Sequence, residues 1–371
     1  MPETHRAAAA TSGILPAQAI RALIAARAIR MTEPASQGQV QPASLDLRLG
    51  PMAYRVRASF LPSPGGSLDT KLDALSLHAI DLTHGAVLET GCVYVVPLLE
   101  ALALPDDVSA SANPKSSTGR LDVFTRVIAD GVPSFDTIPV GFEGRLFAEI
   151  CPQTFPIVAR RGSMLSQIRF RRGDPVLDDG ALARLHARHT LVTGGATADI
   201  RGGIALSVDL ARRAEGPAGY RAKRHTGIVD VDKPGACALS DYWEALPAPK
   251  DGRLVLDPDE FYILASKEAV HVPPDHAAEM MPFNPLVGEF RVHYAGFMDP
   301  GFGHAAAGGA GARVVLEVRS HKVPFILDDG QIVGRLVYER LLELPEILYG
   351  RDVGSNYQAQ GLKLSKHFRE G

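Results

Sequence analysis

Two stretches of sequence decide the fold: Val93-Tyr94-Val95-Val96, followed by Leu104-Pro105-Asp106-Asp107, has a counterpart in Phe261-Tyr262-Ile263-Leu264 and Val272-Pro273-Pro274-Asp275. The spacing is constant, because 168 positions separate Tyr94 from Tyr262 and also Asp107 from Asp275. Solenoid repeats have periods of about 20–50 residues. A single long period with matched segments therefore indicates two copies of one domain.

Further matches extend the repeat along the chain. The same offset of 168 relates Glu149 to Glu317 and Phe170 to Tyr338. An earlier match, of residues 44–47 with residues 207–210, has an offset of 163. We expect a first domain over residues 1–172, a linker with a helix over 173–203, and a second domain over 204–371.

The class predicted from composition is mainly β with a few short helices. The chain contains 36 glycines and 27 prolines spread along its length. Both residue types end helices and shape turns, which favours many short strands. Strands are predicted at 91–98, 144–150, 163–170, 261–265, 313–318 and 331–338, and helices at 16–31, 176–189 and 241–245.

The charge and hydropathy of the chain exclude several classes of function. The 371 residues are 46% hydrophobic, enough for real cores, and the net charge is −3. A near-neutral protein has no general field for nucleic acid, so an anionic ligand needs a local basic pocket. No apolar run approaches the roughly 18 residues that span a bilayer. With three scattered cysteines and no signal-peptide pattern, we expect a cytoplasmic protein without a membrane partner.

Five segments, taken together, resemble bacterial dCTP deaminases, which are relatives of the trimeric dUTPases. They are an opening strand at 41–50, a phosphate-binding segment at 115–121, a base-pocket hairpin at 295–302, a strand with a glutamate at 315–317, and a C-terminal arm at 349–361. The resemblance implies two fused dUTPase-like, or β-clip, domains.

The residues themselves limit how such a chain could deaminate cytosine. Zinc deaminases combine a His-x-Glu with a Pro-Cys-x-x-Cys motif, and neither spacing occurs here. A metal-free route needs a carboxylate that acts first as general base and then as general acid, and Glu317 is the best candidate. Strand alternation places Val315 and Glu317 on one face and Val314 and Leu316 on the other. Without the resemblance, a solvated strand glutamate is the favoured interpretation of Glu317.

The resemblance also implies roles for individual residues. Glu317 would be the general base and acid, with Arg120 and Ser116 holding it and the attacking water. Asp299 would bind the sugar 3′-hydroxyl. The other substrate-binding candidates are Lys115, Ser117, Ala295, Val315, Leu316, Tyr349, Asn356 and Gln360. Asn356 stands where the family usually has a lysine. Mg²⁺ is expected on the triphosphate of the substrate, with no zinc and no metal held by the protein.

The two copies have lost different motifs. The first copy keeps the polar segment of Lys115, Ser116, Ser117 and Arg120, although alone it is also typical of a surface turn. The same copy has Pro139 where the second has Asp299. The second copy lacks a Ser-Ser pair in its matching segment, 282–288. We therefore predict one composite site, made from the first copy's phosphate segment and the second copy's base pocket, with Glu149 a relic or a second site.

Three functions remain open from the sequence. The first is deamination of dCTP to dUTP and ammonia, a step toward dTTP. The second is a dUTPase, or a bifunctional enzyme that gives dUMP. The third is a non-catalytic nucleotide-binding module. The resemblance further implies a homo-oligomer, with a trimer favoured, and inhibition by dTTP.

Overall fold

A computed structural model describes residues 11–63, 66–194, 198–211, 216–281, 290–293, 296–320, 322–353, 357–358 and 360–369. Strands account for 44% of the described residues and helices for 12%. This confirms the predicted mainly β class. Among the described residues, no helix is both long enough and apolar enough to cross a membrane.

The N-terminal half contains two sheets, which pack against each other. One has the order β5-β4-β7-β11-β9, with β2 also paired to β7, and the other has the order β1-β13-β8-β10, with β3 paired to β13. Their strands are β1 (Gly13–Ile14), β2 (Ile29–Met31), β3 (Leu45–Arg48), β4 (Met52–Val56), β5 (Ser76–Asp81), β7 (Val93–Ala103), β8 (Val108–Pro114), β9 (Val123–Ala129), β10 (Thr137–Ile138), β11 (Glu143–Pro152) and β13 (Met164–Arg172).

The C-terminal half repeats this arrangement. One sheet has the order β19-β16-β21-β25-β23, with β14 paired to β21, and the other has the order β15-β27-β22-β24. Their strands are β14 (Val192–Thr193), β15 (Ile204–Ser207), β16 (Gly219–Ala222), β19 (Trp243–Leu246), β21 (Phe261–Val270), β22 (His276–Met281), β23 (Phe290–His293), β24 (Phe297–Met298), β25 (Ala312–Ser320) and β27 (Ile332–Arg340).

The remaining elements are short. The helices are α1 (Ala17–Ala25), α2 (Leu68–Leu75), α3 (Ser116–Gly119), α4 (Asp179–His189), α5 (Leu239–Tyr242) and a 3₁₀ turn (Ala305–Ala307). The short strands are β6 (Ala86–Leu88), β12 (Ile157–Ala159), β17 (Val229–Asp230), β18 (Cys237–Ala238), β20 (Arg253–Leu256), β26 (Phe325–Asp328) and β28 (Phe368–Arg369).

The two halves correspond strand by strand. The strands β7, β8 and β13 begin 168 positions before β21, β22 and β27, which is the offset found in the sequence. The earlier match at an offset of 163 is wrong as a structural equivalence. Leu45 pairs with Ile168 while Ile204 pairs with Leu336, so the true offset between β3 and β15 is 159. Residues 44–47 lie mostly within β3, whereas residues 208–210 follow the end of β15.

Two predicted helices differ from those observed. The helix predicted over 16–31 stops at Ala25, because Arg27 adopts a left-handed backbone conformation (φ 59°), and the chain then enters β2. The helix predicted over 241–245 is displaced toward the N-terminus, since α5 ends at Tyr242 and Trp243 starts β19. The indole of Trp243 is buried against Phe155 and Phe368, and strand geometry presents it to this aromatic cluster.

The halves share a buried boundary. Phe155 comes from the first half, and its ring contacts Tyr242 and Trp243 of the second half edge-on, with centroids 5.5 Å apart in both cases. The strands β12 and β17, one from each half, pair in parallel. Between residues 173 and 203, Leu182 and Leu185 of α4 pack into the core of the second half, and β14 joins its sheet. This shared boundary places side chains of both halves around one cavity.

Candidate active site

The cavity lies where the end of β8 in the first half faces β24 and β25 in the second half. Predicted site residues from three parts of the chain line it together. The first half contributes Lys115, Ser116, Ser117 and Arg120, the second half contributes Asp299, Val315 and Glu317, and the C-terminal arm contributes Tyr349 and Gln360. One chain therefore brings together the two sets of motifs that the two copies retain separately.

Glu317 is a buried carboxylate in the middle of β25. The strand pairs on both sides, with Ile263 and with His293, so its position is fixed by two ladders. Its side chain is almost completely shielded from solvent. Burial raises the pKa of Glu317 to about 8, although the nearby Arg120 guanidinium opposes this shift. A carboxyl group with this pKa can accept and donate a proton near neutral pH.

Arg120 is the cation closest to Glu317. Its Nε lies 3.8 Å from Oε1 of Glu317. The guanidinium stacks on the ring of Tyr357, 3.9 Å from the centroid, and Nη1 donates a hydrogen bond of 2.9 Å to the carbonyl of Lys363. Among the described residues Nε has no hydrogen-bond acceptor, although it is buried. A buried donor without a partner is rare in proteins, so this N–H is free for a ligand or water.

The phosphate segment is held by contacts on both sides. The backbone N–H of Lys115 donates to the carbonyl of Leu165 on β13, at 2.9 Å. The Lys115 ammonium forms an ion pair with Asp46, a buried carboxylate on β3. Burial raises the pKa of Asp46, and the neighbouring Lys115 counteracts part of that rise. The hydroxyl of Ser365, four residues beyond the C-terminal arm, donates a hydrogen bond of 2.8 Å to the carbonyl of Ser117.

Asp299 follows β24 and is positioned by a residue of the other half. Arg169 of β13 is fully buried, and its Nη2 donates to Oδ1 of Asp299 at 3.3 Å and to the carbonyl of Met298 at 3.3 Å. Its Nη1 donates to Glu339 at 3.1 Å. Burial raises the pKa of Asp299 to about 6, against the opposing effect of Arg169. Asp299 is thus a hydrogen-bond acceptor at the cavity wall at neutral pH.

The C-terminal arm closes one side of the cavity. Gln360 pairs with Arg313 at the start of β25: the Arg313 N–H donates to the Gln360 carbonyl at 2.9 Å, and the Gln360 amide donates to the Arg313 carbonyl at 3.0 Å. The buried Oε1 of Gln360 has no hydrogen-bond donor among the described residues. Tyr349 packs its ring on Phe302, with centroids 5.8 Å apart.

One predicted site residue turns its side chain away from the cavity, and two others cannot be placed because they lie outside the described residues. Leu316 is fully buried in the core of the second half, because strand alternation turns it away from Glu317, whereas Val315 faces the cavity. Ala295 and Asn356 lie outside the described residues. The segment 282–288, which matches the phosphate segment in the sequence, also lies outside them.

Glu149 has the same strand position as Glu317 but different neighbours. Its Oε1 forms a 2.6 Å ion pair with Nη2 of Arg126 on β9. The Arg126 guanidinium stacks on Phe135, 3.5 Å from the ring centroid. Pro139 directly follows β10, as Asp299 follows β24, and the two strands pair in equivalent register with β8 and β22. The first half thus lacks the acceptor that Asp299 provides in the second.

Sequence reasoning missed several residues at this site. The cavity is also lined by Asp46, Tyr357 and Lys366. Arg169 lies behind it, where it contacts Asp299. Each acts across the boundary between distant segments, so no local motif reveals it. The available signals were the positions of Asp46 in the opening strand and of Tyr357 in the C-terminal arm, two segments that carry the family resemblance. Among the described residues, no group of three His, Cys, Asp or Glu side chains is placed to hold a metal ion.

Comparisons with known proteins identify the family. Residues 11–174 match the model of the 2′-deoxycytidine 5′-triphosphate deaminase N-terminal domain, and residues 178–368 match that of the C-terminal domain. The solved structure of 2′-deoxycytidine 5′-triphosphate deaminase from Agrobacterium tumefaciens is 62% identical in sequence. It matches with a TM-score of 0.86 over 90% of this chain and 100% of that one.

Curated relatives resemble shorter parts of the chain. A protein of Methanoculleus marisnigri named "dCTP deaminase, dUMP-forming" is 32% identical over 147 residues, which are 38% of this chain and 72% of the relative. A protein of the same name from Parafrankia sp. is 32% identical over 158 residues, 42% of this chain and 75% of the relative. With matches to both domain models over most of its length, the chain belongs to the dCTP deaminase family of enzymes, in a two-domain form.

Proposed function

We propose that this protein hydrolyses the 4-amino group of dCTP, giving dUTP and ammonia, in a cavity that its two halves form together. One observation carries the proposal: Glu317 is a buried carboxyl group that faces a polar cavity, and its nearest cation among the described residues, Arg120, is 3.8 Å away. The buried Arg120 Nε and Gln360 Oε1, which lack partners among the described residues, support a polar ligand there.

Glu317 performs the proton transfers in this proposal. As a carboxylate it takes a proton from water while the water oxygen bonds to C4 of cytosine, and it passes that proton to ring N3. It then moves the new hydroxyl proton to the amine, the C4–N bond breaks, and ammonia leaves. A pKa of about 8 suits both directions of transfer. Arg120 and Ser116 orient the carboxylate and the water, and the reaction uses no metal on the protein.

The rest of the cavity holds the nucleotide. Asp299, fixed by Arg169, accepts a hydrogen bond from the sugar 3′-hydroxyl. Lys115 and Ser117 contact the triphosphate, which arrives with its Mg²⁺ as part of the substrate. Tyr349 and Gln360 of the arm cover the nucleotide, and Val315 contacts it from the wall. The trimer and the dTTP inhibition implied by the resemblance stay predictions, as does the cytoplasmic location expected from the composition.

A second outcome has specific support, since relatives that match this chain are named as dUMP-forming. In that case the same site also hydrolyses the bond between the α- and β-phosphates, releasing dUMP and pyrophosphate. The deamination step and its residues are the same in both cases. The two outcomes differ only in the second product.

Product analysis with purified protein and Mg²⁺-dCTP tests the proposal. We expect one ammonia per nucleotide consumed, with either dUTP or dUMP plus pyrophosphate as the other product. Pyrophosphate released from dUTP, without ammonia from dCTP, would instead make the protein a dUTPase. Tight binding of dCTP without any turnover would instead indicate a non-catalytic nucleotide-binding module.

A further inference from the structure

A lysine five residues beyond the C-terminal arm lies at the cavity wall. Lys366 is half-buried and lines the cavity together with Lys115. Asp46, the buried carboxylate in this corner, is already paired with Lys115. Lys366 forms no ion pair or side-chain hydrogen bond among the described residues, so the corner has an excess of positive charge. Such a pair of ammonium groups is suited to an anionic ligand.

The backbone of Lys366 is fixed on both sides. Its N–H donates to the Tyr357 hydroxyl at 3.3 Å, and its carbonyl accepts from the N–H of Gly235 at 3.0 Å. The parallel pairing of β28 with β18 begins two residues later. The main chain at this position therefore cannot turn away from the cavity without losing contacts on three sides.

The neighbours of Lys366 are buried anchors. Ser365 donates to the carbonyl of Ser117 in the phosphate segment, at 2.8 Å. His367 lies 2.9 Å from the Ser365 hydroxyl through Nδ1 and 2.8 Å from the carbonyl of Val231 through Nε2. Both side chains are only 2% exposed. These contacts attach residues 365–367 to Ser117 of the first half and to Val231 of the second half. Lys366 lies between the two anchoring residues.

We propose that Lys366 is a ligand of the substrate triphosphate, held in place by Ser365 and His367. The inference rests on the proposed function for the identity of the substrate, but it concerns only the binding of the phosphates. Lys366 adds a second ammonium group beside Lys115 at the cavity wall. Burial and the nearby Lys115 both lower the pKa of Lys366, and the negative charge of a bound polyphosphate acts in the opposite direction.

The test compares Lys366→Met with Lys366→Arg and with the control Lys250→Met. Lys250 is exposed and is not one of the residues that line the cavity, so its substitution removes the same charge elsewhere. Calorimetry measures the binding of Mg²⁺-dCTP, inorganic tripolyphosphate and unphosphorylated deoxycytidine, with Glu317→Gln present in every protein compared, wild type at position 366 included, so that the nucleotide is not consumed. We expect Lys366→Met to weaken dCTP and tripolyphosphate binding by roughly 10- to 100-fold, the range for one charge-assisted hydrogen bond. We expect Lys366→Met to bind deoxycytidine as the wild type does. We expect Lys366→Arg and Lys250→Met to bind all three ligands with affinities close to those of the wild type.

Each other outcome has a definite meaning. Equal binding of dCTP by Lys366→Met and wild type, in a protein with an unchanged melting temperature, overturns the role of Lys366 and leaves deamination intact. An equal loss of deoxycytidine affinity also overturns it, because the defect would then be structural. If tripolyphosphate binding depends on Lys366 but the wild-type protein releases no ammonia from dCTP, the phosphate-binding role of Lys366 is supported and the proposed deaminase activity is rejected.

Discussion

Glu317 and Glu149 stand at the same position of the same strand in the two halves, 168 residues apart, yet their surroundings differ. Glu149 is paired at 2.6 Å with Arg126, whose guanidinium packs on aromatic rings. Glu317 faces a cavity, and its nearest cation, Arg120, is 3.8 Å away and comes from the other half.

This difference shows how one fold carries two kinds of carboxylate. A close ion pair holds Glu149 as a structural anion. Glu317 is also buried, but its nearest cation is more distant than that of Glu149. Burial therefore raises the pKa of Glu317 to about 8, and this group can accept and donate protons. The chemistry therefore depends on neighbours across the boundary between the halves, while the strand itself only provides the position.

The largest effect that separates the two glutamates is on turnover. We expect Glu317→Gln to lower the rate of ammonia release by roughly 100- to 10,000-fold, the usual contribution of general acid and base catalysis. Glu149→Gln keeps the rate per folded molecule within a few-fold of wild type. Rates and melting temperatures are measured on the same preparations. Loss of activity in the Glu149 variant with Glu317→Gln active would reverse the assignment.

The second effect is on stability, and it belongs to Glu149. Arg126→Met leaves a carboxylate that is 1% exposed without its cation. Breaking a buried pair in this way costs about 3–5 kcal/mol of unfolding free energy. The double variant with Arg126→Met and Glu149→Gln recovers part of this loss, because the buried charge is gone. Urea unfolding of the four proteins measures the coupling, and a coupling near zero would show that the pair is not a unit.

The third effect is the pH dependence of stability, and it belongs to Glu317. Between the unfolded pKa of 4.5 and the folded pKa of about 8, the native state keeps a proton that the unfolded chain has released. Stability from this group is therefore present below pH 4.5 and is lost as the pH rises through 8. Glu317→Gln removes the dependence, so its melting temperature relative to wild type rises from pH 5 to pH 9. A difference that does not change with pH would contradict the raised pKa.

The sequence predicted the features that repeat or that belong to one strand. The offset of 168 identified the pairs β7 with β21 and β13 with β27, and alternation along β25 placed Glu317 opposite the core residue Leu316. The complementary loss of motifs correctly indicated that residues of the two copies meet, since Arg120 lies beside Glu317.

What could not be predicted depends on how distant segments pack. Arg169 acts on Asp299 through a boundary that no pattern within β13 encodes. Lys366 looks like any charged residue near a terminus until Ser365 and His367 are seen to be buried. The similarity of residues 44–47 to 207–210 led to a wrong offset of 163 between the two copies. Only the pairing of β3 and β15 with their neighbouring strands shows that the offset there is 159.

The central claim is that a single chain completes the site, with Arg120 from its first half and Glu317 from its second. The most direct measurement is ammonia release from protein obtained by producing Arg120→Met and Glu317→Gln chains together in one cell. If each site lies within one chain, every site in the mixture carries one defect, and activity stays at the level of the two variants measured apart. Recovery of a substantial fraction of wild-type activity would show that sites form between chains and would contradict the account.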